Sequence, residues 1–130
     1  RVQKVKYDII GMSLYPIWWE SGANGWNAGW KSVISTCLDN IRNFSNTYSK
    51  PVMLCEIGVP VSEPQMSKEA VKMILDGTRD IEGCQGVFYW EPQTDGVWKP
   101  SKYAALGWSA YDKGAFKDGK ATEILAPFKE

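Results

Sequence analysis

Pro51-Val52-Met53-Leu54-Cys55-Glu56-Ile57-Gly58 is an apolar run with a single carboxylate near its carboxyl end. An unpaired carboxylate is costly to bury in such a run. The segment therefore either pairs the charge or ends it in a cleft. A structural ion pair meets the first requirement. A parallel α/β barrel meets the second, because its catalytic groups project from the carboxyl ends of the strands.

Two other runs have the same form. Tyr7-Asp8-Ile9-Ile10-Gly11-Met12-Ser13-Leu14-Tyr15-Pro16 and Gly86-Val87-Phe88-Tyr89-Trp90-Glu91-Pro92 both read as strands closed by proline. Between the first two strands, Trp30, Val33, Ile34, Cys37, Leu38, Ile41 and Phe44 recur at the three-and-four spacing of one helix face. Lys31, Asp39, Asn40 and Arg42 take the opposite face. A second helix is expected from Lys68 to about Asp80, with Ser67 as its N-cap and Ala70, Val71, Ile74, Leu75 and Thr78 on its apolar face. A short helix near Thr122 to Phe128 closes the chain.

Alternation of strand and helix implies parallel strands with right-handed crossovers. Strands that are apolar nearly throughout imply that both faces are covered. A small doubly wound sheet and part of a (β/α)8 barrel both fit. No glycine-rich phosphate loop follows any strand, so the nucleotide-binding form of the doubly wound sheet has no support. Each strand ends instead in polar or aromatic groups: Ser13 and Tyr15, then Glu56, then Trp90 and Glu91. That is the layout of a barrel mouth.

Composition narrows the chemistry. The 130 residues suffice for one domain with a core, and the formal net charge of zero suggests neither nucleic acid nor an anionic membrane as partner. No apolar stretch reaches the length of a spanning helix. Arg1-Val2-Gln3-Lys4-Val5-Lys6 is charged and alternating, unlike a signal segment. With no histidine, Ser-His and Cys-His catalysis are excluded. Cys37, Cys55 and Cys84 are too far apart for a zinc motif; Cys37 and Cys55 read as small core residues. Trp18, Trp19, Trp26 and Trp30 cluster around Gly22, Gly25 and Gly29, and Trp98 and Trp108 flank a second loop. Loop tryptophans are platforms for flat apolar ligands such as the C–H face of a sugar, although loop packing accounts for the same pattern.

Taken together, the three strands resemble those of glycoside hydrolase family 53, the endo-β-1,4-galactanases. The run from Tyr7 to Trp18 is similar to that family's sixth strand, Pro51 to Gly58 to its seventh, and Gly86 to Pro92, with the string Phe-Tyr-Trp-Glu-Pro, to its eighth. The Trp26-Asn27-Ala28-Gly29-Trp30 opening of the first helix is similar as well. The resemblance implies a single partial domain over residues 1–130, the carboxyl-terminal part (about strands six to eight) of a (β/α)8 TIM barrel. It implies that Glu56 is the nucleophile of a retaining glycosidase, that Tyr15 hydrogen-bonds and orients it, and that Trp90 floors the subsite of the reacting sugar. Ser13, Trp18 and Glu91 join them as substrate-binding candidates. β-1,4-Galactan is the implied substrate and a secreted or cell-envelope location the implied setting.

The family's acid/base glutamate belongs to its fourth strand, and this sequence starts at about the sixth, so that group is expected outside the chain. Glu91 is the nearest substitute, but on a continuing strand it points away from the face of Trp90. The Val59–Gln65 loop offers one carboxylate, too few for calcium, and no metal or other cofactor is expected. The first strand is expected to leave an open edge through which chains associate. Two alternatives stand beside the galactanase: a carbohydrate-binding fragment without catalysis, and a related glycosidase acting on mannan, xylan or glucan.

Overall fold

The computed structural model describes residues 5–17 and 29–129; the aromatic loop expected over residues 18–27 lies outside them. Three strands, β1 (Ile10–Leu14), β2 (Val52–Ile57) and β3 (Cys84–Tyr89), form a parallel sheet in the order β1-β2-β3. Helix α1 (Trp30–Tyr48) lies between β1 and β2 in the chain, and α2 (Pro64–Arg79) between β2 and β3. Parallel neighbours need such crossovers. The chain continues through α3 (Ser101–Ala105), an antiparallel ribbon of β4 (Phe116–Lys117) and β5 (Lys120–Ala121), and a 3-10 helix over Glu123–Lys129 that packs against α2.

The core lies between the sheet and the two long helices. Ile34, Cys37, Leu38 and Ile41 of α1 and Ala70, Val71, Ile74 and Leu75 of α2 are buried with Val52, Leu54 and Ile57 of β2. These are the residues that the helical and strand periodicities select. Each fully buried aliphatic side chain contributes about 2 kcal/mol from apolar burial. Thr78 joins this face because its Oγ1 donates back to the carbonyl oxygens of Ile74 (2.8 Å) and Leu75 (3.0 Å) within its own helix.

Several expectations are corrected. Strand β1 starts at Ile10 rather than Tyr7. Ile10 N donates to Pro51 O at 3.0 Å, and Pro51 has no N–H with which to extend the ladder. Helix α2 starts at Pro64, just over a turn early, with the proline in the first turn, where its missing N–H costs nothing. Ser67 is therefore not the N-cap. It is buried inside the helix, and its Oγ donates to Pro60 O at 2.7 Å. Strand β3 ends at Tyr89, because the backbone turns to a left-handed φ of 47° at Glu91. Val33 sits at the margin of its stripe and is 41% exposed.

The expectation of two covered faces also fails among the described residues. The helices lie on one face only. Gly11, Ser13, Cys55 and Phe88 lie on the other face and are exposed, so Cys55 is not a core residue as expected. In a (β/α)8 barrel the helices cover the outer face, and the inner face packs against strands from across the barrel.

Candidate active site at the strand ends

A bulge decides where Glu56 points. Met12 pairs with Leu54 but Ser13 pairs with Glu56, and on the other side Leu54 pairs with Val87 but Ile57 with Tyr89. β2 thus carries one extra residue at Cys55–Glu56 against both neighbours. Regular alternation from Leu54 would turn Glu56 into the helix-packed core. The extra residue re-aims it. Leu54 and Ile57 are both fully buried, three positions apart, while Glu56 between them is only half-buried.

Beside it, Tyr15 follows β1 and donates its hydroxyl hydrogen to Glu56 Oε2 at 3.0 Å. Burial, and after it this donation to the carboxylate, push the Tyr15 phenol up to about 12. Among the described residues, no lysine or arginine forms an ion pair with Glu56. The ion-pair alternative for this carboxylate therefore has no partner there. The only described hydrogen bond to the carboxylate comes from a neutral phenol.

Two further tyrosines surround the pair. Tyr89, the last residue of β3, donates its hydroxyl to Gly114 O at 2.8 Å and accepts from Val59 N at 3.3 Å. Tyr111 brings its hydroxyl against Tyr15 and lies within 3.4 Å of Trp90 O. Burial is the first cause that holds both phenols well above the ordinary tyrosine range. Nothing in the pattern around Ala110-Tyr111-Asp112 marks Tyr111 as a site residue. Only the return of the carboxyl-terminal loop to the strand ends brings it there.

The other expected residues gather at the same end. Ser13 sits opposite Glu56 in the β1–β2 register and is exposed. Trp90 is the first residue past β3; its N–H donates to Ile57 O at 2.9 Å and its side chain is 46% exposed. An open cleft of about 1030 Å³ lies alongside, lined by Trp90, Glu91, Trp98, Tyr103, Trp108 and Tyr111 among others. Glu91 reaches this cleft because β3 has already ended, so strand alternation no longer separates it from Trp90. Trp98 and Trp108 are exposed, and Trp108 stands edge-on to Tyr103 with ring centroids 5.3 Å apart. Trp30 is not a loop platform: it is buried at the start of α1. Trp18 lies outside the described residues. Asp95 Oδ1 accepts from Val97 N at 3.1 Å, and among the described residues no three acidic or cysteine side chains converge on a metal position.

Comparison with known proteins bears on this arrangement. Residues 1–73 match the model of glycosyl hydrolase family 53. The chain is 29% identical over 129 residues to the probable arabinogalactan endo-beta-1,4-galactanase A of Neosartorya fischeri, covering 86% of this chain and 32% of that protein. It is 26% identical over 123 residues to an uncharacterized protein in the bgaB 5' region of Niallia circulans, covering 75% of this chain and 29% of that one. The chain thus spans about a third of the length of the curated relatives it matches. Its fold superposes on a solved fungal beta-1,4-galactanase with a TM-score of 0.63 at 22% identity, over 95% of this chain and 38% of that one. The three parallel strands and their crossover helices have the fold of part of such a (β/α)8 barrel.

Proposed function

The chain belongs to glycosyl hydrolase family 53, and we propose that it carries the nucleophile half of a retaining endo-β-1,4-galactanase, with Glu56 as that nucleophile. The observation that carries the reading is the half-buried Glu56 carboxylate at the strand end, held by the Tyr15 hydroxyl at 3.0 Å. In a retaining reaction this carboxylate attacks the anomeric carbon as the bond to the leaving sugar breaks. A second carboxyl group protonates the departing oxygen and then activates the water that releases the glycosyl-enzyme. The Tyr15 donor fixes the direction in which the carboxylate faces.

That second carboxyl group lies on a strand outside this chain, and residues 1–130 are one part of a larger barrel domain. The exposed inner face of the sheet, with Gly11, Ser13, Cys55 and Phe88, supports this division. Trp90 then floors the reacting subsite, while Ser13 and Glu91 contact the sugar. β-1,4-Galactan is the substrate class, in keeping with the name of the Neosartorya fischeri relative.

The test is release of oligosaccharides from linear β-1,4-galactan. The intact enzyme with Glu56→Gln should lose about 10⁴-fold or more in kcat, and residues 1–130 alone should release little or nothing. Undiminished cleavage by the Glu56→Gln enzyme sinks the assignment. The exposed Trp98 and Trp108 in the cleft favour one second reading, a module that binds carbohydrate without cleaving it. Galactan binding that survives Glu56→Ala, with no hydrolysis by the intact protein, would select it.

A further inference from the structure

A second phenol stands behind the Tyr15–Glu56 hydrogen bond, and Gly58 makes room for it. A β-carbon on Gly58 would lie 2.6 Å from Tyr111 Oη, 2.7 Å from Tyr15 Cε1 and 3.0 Å from Lys113 Cβ. Two tyrosines thus converge on a space that only a glycine leaves open, two residues past Glu56. Tyr111 Oη has two carbonyl oxygens in reach, those of Trp90 and Lys113, each at 3.4 Å. Both are longer than the roughly 2.5–3.0 Å of a good O–H···O bond. A phenol has one hydrogen, and the Tyr15 hydroxyl stands beside these two carbonyls as a third acceptor in reach. Tyr15 gives its own hydrogen to Glu56 Oε2 at 3.0 Å, so toward Tyr111 it can only accept.

We propose that Tyr111, packed beside Tyr15 over Gly58, donates to the Tyr15 hydroxyl and is thereby a positioning residue for the nucleophile: it keeps the one Tyr15 hydrogen on the Glu56 carboxylate. This rests on the assignment of Glu56 made above. Without Tyr111, the Tyr15 hydrogen is held on the carboxylate less firmly. With it, each donation polarises the next and strengthens it. Burial holds both phenols protonated far above neutral pH, so the row of hydroxyls keeps its hydrogens under working conditions. Tyr111 touches no reacting atom and acts only through Tyr15.

A double-mutant cycle tests this in the intact enzyme on linear β-1,4-galactan. Tyr15→Phe, which removes a bond to a charged group, should lower kcat about 10–100-fold; Tyr111→Phe, which removes a bond between neutral groups, about 3–10-fold. KM should move by less than about twofold in each. The double variant should be no slower than Tyr15→Phe alone within about twofold, because the Tyr111 effect passes through Tyr15. Losses that multiply in the double variant, or an unchanged kcat in Tyr111→Phe, overturn the proposal. If the unsubstituted enzyme does not cleave galactan, the Glu56 assignment fails, and the same cycle is read instead in the urea unfolding midpoints of residues 1–130. Non-additive midpoint shifts at positions 15 and 111 then uphold the hydroxyl row, and additive shifts overturn it.

Discussion

At Glu56 the controlling contact is with a phenol rather than a cation. A lysine or arginine would stabilise the carboxylate by offsetting its charge, whereas Tyr15 stabilises it through one hydrogen bond and leaves the charge whole. Tyr15, Tyr89 and Tyr111 around it all have phenols raised above the unfolded value of about 10, burial being the first cause in each. A neutral group whose folded pKa is raised contributes stability that is complete below its unfolded pKa and is lost as pH rises toward its folded pKa. For Tyr15 that window runs from about pH 10 to about 12. The urea midpoint should therefore be insensitive to these groups from about pH 7 to 9 and should fall above about pH 10. The fall should be shallower in Tyr111→Phe. Circular dichroism across that range checks it, and equal slopes in the two proteins would mean that the phenol is not buried as described.

At the scale of the element, helix α2 shows how close packing sets local choices. A β-carbon on Gly77 would run into Leu38 Cδ1 and lie 3.1 Å from Leu38 Cδ2. Gly77→Ala gains about 1 kcal/mol of helix propensity but overfills the α1–α2 contact, which costs about 1–3 kcal/mol. The second effect is the larger, so a lower unfolding midpoint is expected, and a higher one would show that Leu38 yields freely. Ser67 is the second point. Its hydroxyl reaches Pro60 O across the entry to the helix in a buried setting. Ser67→Ala should cost about 1 kcal/mol, the net worth of an ordinary hydrogen bond. An exposed N-cap serine at the helix start would instead protect the first-turn amides from exchange. Amide exchange of the first turn should thus be little changed by the substitution.

At the scale of the molecule, the sheet has one face covered by helices and, among the described residues, one face open. Cys55 lies on the open face and Cys37 in the core, where burial pushes its thiol up to about 11. An aromatic disulfide reagent should label Cys55 in residues 1–130 rapidly and Cys37 only on unfolding, since exposure and thiolate fraction govern that reaction. In the intact barrel, Cys55 should be as protected as Cys37. Fast labelling of Cys55 there would mean that no further strands cover the inner face. With the β1 edge and Ile9 and Phe88 exposed, residues 1–130 in isolation should associate as concentration rises, which sedimentation velocity checks.

What the amino-acid sequence determined by itself was local. Apolar runs and helical periodicity placed the three strands of the parallel sheet, both long helices and their order. The end of the second strand singled out Glu56, with Tyr15 and Trp90 as neighbours. Such patterns are legible because they depend on residues a few positions apart. The tertiary structure alone decided the rest: the bulge at Cys55–Glu56, the early end of β3 that brings Glu91 to the cleft, the exposure of Cys55, and the arrival of Tyr111 behind Tyr15. Each of these depends on which distant segment lies alongside. Register, face and hydrogen-bond partner are properties of a pair of segments, and neither segment of the pair carries them alone.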